Sequence, residues 1–95
     1  MNVFEMEDAT GKIIYLTKER WGHIVQRHTM LSNSLEAIKE TIVNPLVIIE
    51  GNQNRRYYYR HYKNIISKEK YLVVVIKYLN GKGFIITGFY TERIE

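Results

Sequence analysis

Apolar and polar positions along the chain divide it into segments of recognisable period. Val3 to Met6 suits a short strand, Glu7-Asp8-Ala9-Thr10-Gly11 has turn chemistry, and Lys12 to Leu16 reads as the returning strand of a hairpin. From Thr17 the period changes to that of a helix. Trp21, Ile24 and Val25 are spaced for one face, Thr17 is a good N-cap, Glu19 suits the positive end of the helix dipole, and the pattern runs to about Thr29. A second helix is expected from Asn33 or Ser34 to Val43, with Leu35, Ile38 and Ile42 as its apolar stripe and Pro45 closing it, because proline disfavours helix in the residue before it.

Strands dominate the remainder. Leu46 to Glu50 is apolar and β-branched, and Gly51 to Asn54 is a loop. Arg55 to Lys63 alternates aromatic and basic residues. Asn64 to Lys70 mixes turn residues with Ile65 and Ile66 and fits no single element. Tyr71 to Leu79 contains the unbroken run Leu72-Val73-Val74-Val75-Ile76, as expected of a central strand buried on both faces. Asn80-Gly81 is a strong hairpin signal, and Gly83 to Tyr90 is the last strand. Short connections between consecutive strands imply an antiparallel meander. The pattern predicts one α+β domain over residues 1–95: an N-terminal strand hairpin and two helices packed on a four-stranded antiparallel sheet, with one face or edge of the sheet left open.

Composition narrows the chemistry. The 95 residues contain no cysteine, which removes disulfides, thiolate metal sites and thiol nucleophiles. No apolar run is long enough to span a membrane, and the acidic start MNVFEMEDAT does not resemble a secretory signal, so a cytoplasmic location is expected. The net charge of +4 permits an anionic partner without demanding one. Of eight tyrosines, Tyr57, Tyr58, Tyr59, Tyr62 and Tyr71 lie close together, interleaved with Arg55, Arg56, Arg60 and Lys63. Cations and rings on one strand can neutralise phosphates and stack bases; a solvated, tyrosine-rich strand would look the same.

The first helix carries two histidines. At about 100° per residue, His28 falls near the Trp21, Ile24, Val25 stripe, whereas His23 falls on the polar side with Arg20 and Arg27. A spacing of five makes the histidines diverge, so they do not form an i, i+4 chelating pair. Each also has an ordinary structural reading, His28 as a half-buried, hydrogen-bonded side chain and His23 as a surface residue. In the last strand, Thr87 interrupts an apolar run and needs a hydrogen-bond partner, and Gly88 admits a close neighbour. There is no phosphate-binding glycine loop, no aspartate cluster for magnesium and no zinc spacing. Histidine, arginine, lysine, tyrosine and threonine remain, a set suited to cleaving RNA through its own 2′-hydroxyl.

The blocks Leu16-Thr17-x-Glu19-Arg20-Trp21-x-His23-Ile24-x-x-Arg27-His28, Ile38-x-x-Thr41-Ile42-x-Asn44-Pro45, Arg56-x-Tyr58-Tyr59, Leu72 to Val75 and Ile85-Ile86-Thr87 together resemble the phage-type members of the barnase–EndoU–colicin–RelE (BECR) nuclease superfamily. The resemblance runs from Lys12 to Tyr90. It implies a RelE-like arrangement of helices and sheet, and metal-independent endoribonuclease activity without a cofactor, as a toxin or phage effector. RNA would be the substrate, and an antitoxin or immunity protein a possible partner. Carried over by position, it matches His23, His28, Arg60 and Thr87 to catalytic positions and Tyr59 to an aromatic strand position; Arg20 and Arg27 beside His23, Arg56 and Tyr58 on the strand, and Tyr90 are expected with Tyr59 on the substrate. Two departures stand out: Thr87-Gly88-Phe89 replaces an expected Thr-Ala-Tyr, leaving Tyr90 to supply the hydroxyl, and Thr29 follows the second histidine where proline is usual. The competing readings are a non-catalytic RNA-binding module and a protein-interaction subunit of a phage or toxin–antitoxin system.

Overall fold

The computed structural model describes residues 1–62 and 70–94. Among these, the chain forms β1 (Asn2–Glu7), β2 (Ile13–Thr17), α1 (Lys18–Arg27), a 3₁₀ turn (Thr29–Leu31), α2 (Leu35–Val43), β3 (Val47–Glu50), β4 (Arg55–His61), β5 (Tyr71–Leu79) and β6 (Lys82–Thr91). Of the segment Asn64 to Lys70, left unassigned by its pattern, all but Lys70 lies outside the described residues, as does Lys63, the expected end of β4. No helix among the described residues is long and apolar enough to cross a membrane.

Local chemistry accounts for the element ends. The Thr17 hydroxyl accepts from the Arg20 amide at 3.1 Å and Glu19 sits in the first turn, a cap worth about 1 kcal/mol. Helix α1 stops at Arg27 rather than Thr29, because His28 leaves helical geometry at φ −128°, ψ 77°. Helix α2 buries Ile38, Thr41 and Ile42 and stops before Asn44-Pro45. Asn80 and Gly81 both adopt positive φ in the β5–β6 turn, as their hairpin signal requires.

The four-stranded antiparallel sheet expected from the sequence proves to be larger and mixed. Six strands pair in the order β1-β2-β6-β5-β4-β3. Strands β3 to β6 form the antiparallel meander. The N-terminal hairpin extends this sheet, since β2 lies parallel to β6 through Ile14↔Gly83 and Tyr15↔Phe84. That pair joins residues far apart in sequence, so no turn signal announces it. Gly83 sits close under its neighbours there: a Cβ would stand 2.5 Å from Ile14 Cδ1 and 3.0 Å from Ile76 Cγ2, so those side chains would have to move.

Both helices cover the same face, α1 over β1, β2 and β6 and α2 over β4 and β5. The core between helices and sheet contains Ile14, Leu16, Ile24, Leu31, Ile38, Ile42, Tyr58, Leu72, Val74, Ile76 and Ile85. Among the described residues, the second face carries no helix. There Tyr59, Val73 and Val75 are buried by half-exposed neighbours that include Tyr57, Tyr71, Ile86, Phe89 and Ile94. Central strand β5 is therefore buried on both sides, as its apolar run predicts.

The hairpin is locked to the sheet by Asp8. Its Oδ1 accepts from the Thr10 amide and hydroxyl, each at 2.8 Å, and from the Lys12 amide at 2.9 Å. Its Oδ2 accepts from Tyr78 at 2.9 Å and from Tyr58, and the two phenol hydroxyls also touch each other. Burial alone would raise the Asp8 pKa, but the donors from Tyr58, Lys12, Thr10 and Tyr78 outweigh it and hold the carboxyl below its ordinary value. Burial, reinforced by the neighbouring carboxylate, pushes both phenols up.

The pH dependence follows from these directions. A carboxylate with a lowered folded-state pKa contributes stability above its unfolded value, near pH 4, and loses it as pH falls through the folded value. Asp8→Ala should cost roughly 2–3 kcal/mol in urea denaturation at pH 7, because it removes charge-assisted bonds and orphans buried donors. The difference from wild type should shrink as the titration is carried well below pH 4. A gap that stayed constant into strong acid would show that Asp8 does not act through its charge.

Candidate functional site

The position of the site follows from what borders β6. Strand β2 flanks it only as far as Phe84. Beyond that point α1 and the 3₁₀ turn pack against β6, and Gly88 is tight against both neighbours, its Cβ position 3.3 Å from the Val73 carbonyl oxygen on β5 and 3.6 Å from Leu31 Cδ1 in the 3₁₀ turn. The β5–β6 register slips by one residue between Val75↔Thr87 and Ile76↔Ile85. This bulge leaves Ile86 unpaired and turns Thr87 out of the core.

Arg20, His23 and Arg27 recur at helical spacing on the exposed side of α1 and face this edge. With Ile24, Ile86 and Thr87 they line a cleft of about 290 Å³. An adjoining cleft of about 220 Å³ is lined by Arg27, His28, Thr29, Met30, Leu31, Phe89 and Tyr90. Arg27 borders both. The His28 ring lies 5.8 Å from the Phe89 ring, centroid to centroid, tilted by 34°. Tyr90 is held by a 3.2 Å hydrogen bond with Ser34, which itself donates to the Met30 carbonyl at 3.3 Å. Among the described residues, neither Arg20 nor Arg27 is committed to an ion pair. The first cleft gathers two guanidinium groups, one imidazole and one hydroxyl, and the second adds the His28 imidazole beyond Arg27.

The expected site residues are thus divided. Thr87 meets His23, Arg20 and Arg27, and His28 and Tyr90 lie next door on the far side of Arg27. Arg60 is elsewhere. It lies on the helix-covered side of β4, where Nη1 donates to the Asn44 carbonyl at 2.7 Å and Nε stands 3.1 Å from Glu40 without hydrogen-bond alignment. Tyr62 donates to Glu40 at 2.8 Å, and burial together with that carboxylate pushes the Tyr62 phenol up to about 12. Arg60 therefore ties the C-terminus of α2 to the sheet, where a cation also suits the helix dipole.

Tyr58 and Arg56 are likewise engaged. Tyr58 is fully buried and bound to Asp8, so its ring is withdrawn from any ligand surface. Arg56 pairs with Glu50 at 2.8 Å and stacks over Tyr78 at 4.7 Å, at the opposite end of β4 from Arg60. Tyr59 is on the helix-free face, where it lines a slot of about 400 Å³ with Ile49, Glu50, Tyr57, Phe89 and Thr91. The sequence pattern gives no sign of Met30, which lies in a turn where the helix was expected to have just ended, and marks Phe89 only as standing where a tyrosine was expected.

Two helices on one face of a sheet, with cations and imidazoles gathered where the first helix meets the last strand, define a small α+β domain with a cationic cleft. Residues 3–95 match the model of the phage-Barnase-EndoU-ColicinE5/D-RelE like nuclease 2 family, and the chain belongs to that family. No curated protein and no solved structure matches it.

Arg60→Ala should lower stability by about 1–2 kcal/mol, the scale of a hydrogen bond to a charged donor. It should also leave the amide chemical shifts of Arg20 to Arg27 in place. Large shifts along α1 would contradict the separation of Arg60 from the cleft.

Proposed function

We propose that this protein is a metal-independent endoribonuclease that cleaves RNA by attack of the 2′-hydroxyl on the adjacent phosphate. One observation carries the reading: Arg27 borders two adjoining clefts, with His23 in one and His28 in the other. A phosphate held at Arg27 would have an imidazole on each side. In-line displacement needs a base on the side of the attacking oxygen and an acid on the side of the leaving oxygen. The divergence that prevents the two histidines from chelating a metal suits this task.

In this mechanism one imidazole takes the proton of the 2′-hydroxyl and the 2′-oxygen bonds to phosphorus. The bond to the 5′-oxygen then breaks, and the other imidazole supplies that oxygen with a proton. The products are a 2′,3′-cyclic phosphate and a free 5′-hydroxyl. Arg20 and Arg27 offset the charge that builds on the phosphorane, and Thr87 donates a hydrogen bond to a non-bridging oxygen. Among the described residues no carboxylate lines either cleft, so the guanidinium groups carry the charge stabilisation. An uncontrolled ribonuclease would damage the cell that makes it, so the reading includes a toxin or phage-effector role and a neutralising antitoxin or immunity protein.

Purified protein should cut RNA in excess chelator and leave cyclic phosphate ends. His23→Ala and His28→Ala should each lower kcat/KM by about 10²–10⁴-fold, the usual contribution of a positioned acid or base. Undiminished cleavage by the double variant His23→Ala, His28→Ala would overturn the assignment. So would an absolute requirement for a divalent cation.

A further inference from the structure

The helix-free face carries an ordered charge pattern at the end where β5 turns into β6. Residues paired across a sheet share a face, so strand register lays out one row: Glu5 on β1, Tyr15 on β2, Phe84 on β6, Lys77 on β5 and Arg55 on β4. A carboxylate stands at one end of the row, two rings in the middle and two cations at the other end. The next row towards the turn follows the same sense, with Glu7 opposite Ile13 on one side and Lys82 opposite Leu79 on the other.

These charges are uncommitted. The ion pairs among the described residues are Lys39–Glu36, Arg56–Glu50 and Arg60–Glu40, and none of them includes a member of either row. Glu5 accepts only from the Asn2 side-chain amide, at 3.0 Å, and the Lys82 ammonium lies 5.8 Å from the centre of the Tyr15 ring. Tyr15 and Phe84 stack on each other at 5.3 Å and 22°. Ile13 and Leu79 are 39% and 51% exposed, two large apolar side chains turned to solvent beside the charges.

We propose that this patch is the contact between two copies of this chain, related by a two-fold axis that runs along the strands and passes between Tyr15 and Phe84. A two-fold contact sets one patch against itself, so the patch must be self-complementary. Rotation about this axis exchanges the two ends of the row. Lys77 of one copy then faces Glu5 of the other, with Arg55 adjoining, and the reverse pair forms across the axis. Tyr15 of each copy meets Phe84 of the other. In the second row Lys82 stands one strand spacing, about 4.8 Å, from the other copy's Glu7, and Ile13 and Leu79 leave solvent. Sheet twist sets the strands of the two copies about 30° apart, the aligned packing of sheet on sheet. The charge order selects this occupant. An acidic protein or a nucleic acid would meet the cations but set like charge against Glu5 and Glu7. A fitting partner is positive at one side and negative at the other, and the chain's own face is such a surface.

Sedimentation equilibrium of the purified protein should show a dimer that weakens as salt is added, because the pairs lie near solvent. Glu5→Lys and Lys77→Glu should each weaken association by at least about tenfold, since each sets like charges face to face. An equimolar mixture of the two variants should dimerise again, one row being positive at both ends and the other lacking its Lys77 cation. A chain carrying both changes should also dimerise, its charges exchanged end for end. That recovery separates a lost contact from a lost fold. Wild-type protein that stays monomeric up to about 1 mM would overturn the contact. A dimer that both variants form as readily as wild type would do the same, as would a mixture that associates no better than either variant alone. None of these measurements involves RNA, so their outcome is separate from that of the ribonuclease reading.

Discussion

Strand β6 changes neighbours halfway along one edge. It pairs with β2 as far as Phe84 and meets α1 and the 3₁₀ turn beyond. Ile85 stays in the core, the bulge at Ile86 re-aims the residues after it, and Thr87 emerges beside the exposed stripe of α1. If β2 had continued alongside β6, a strand would occupy the place where Arg20, His23 and Arg27 now stand. The cleft is thus a by-product of how the sheet ends on that side. The geometry that defines it is backbone geometry, held by the doubly buried strand β5.

Two polar clusters that could be mistaken for functional sites serve to hold the layers together. Asp8 gathers donors from its own turn and from β4 and β5, which fixes the N-terminal hairpin against the far end of the sheet. Arg60 does the corresponding work for α2 by bonding to Asn44 and facing Glu40. Both are charged groups placed against polar backbone, where a charge-assisted bond is stronger than a neutral one. Their presence shows why a basic residue on a tyrosine-rich strand is weak evidence for a substrate contact.

Much of the architecture was legible in the chain. Apolar period located both helices and all the strands, the run at Leu72–Ile76 identified the central strand, and Asn80-Gly81 identified its turn. The size and parallel pairing of the sheet were not legible, because β2 and β6 meet across most of the sequence and nothing local encodes their contact. The candidate site divides along the same line. Arg20, His23 and Arg27 could be grouped by helical spacing, and Thr87 was conspicuous as a hydroxyl in an apolar run. Arg60 was misplaced because alternation tells which side of a strand a residue takes, not which helix it will find there. The Asp8 turn looked like a turn, but its phenol partners lie 50 and 70 residues away.

The order of elements along the chain has a consequence for biosynthesis. The cleft needs one wall from α1 and the other from β6, the first helix and the last strand among the described residues. A growing chain can finish α1 with all its cations and imidazoles and still have no opposing surface for them. The hairpin also has no sheet to join until β6 arrives to pair with β2. The cleft comes into being only once β6 has been added, so a chain that stops short of β6 bears these cations and imidazoles without the opposing wall.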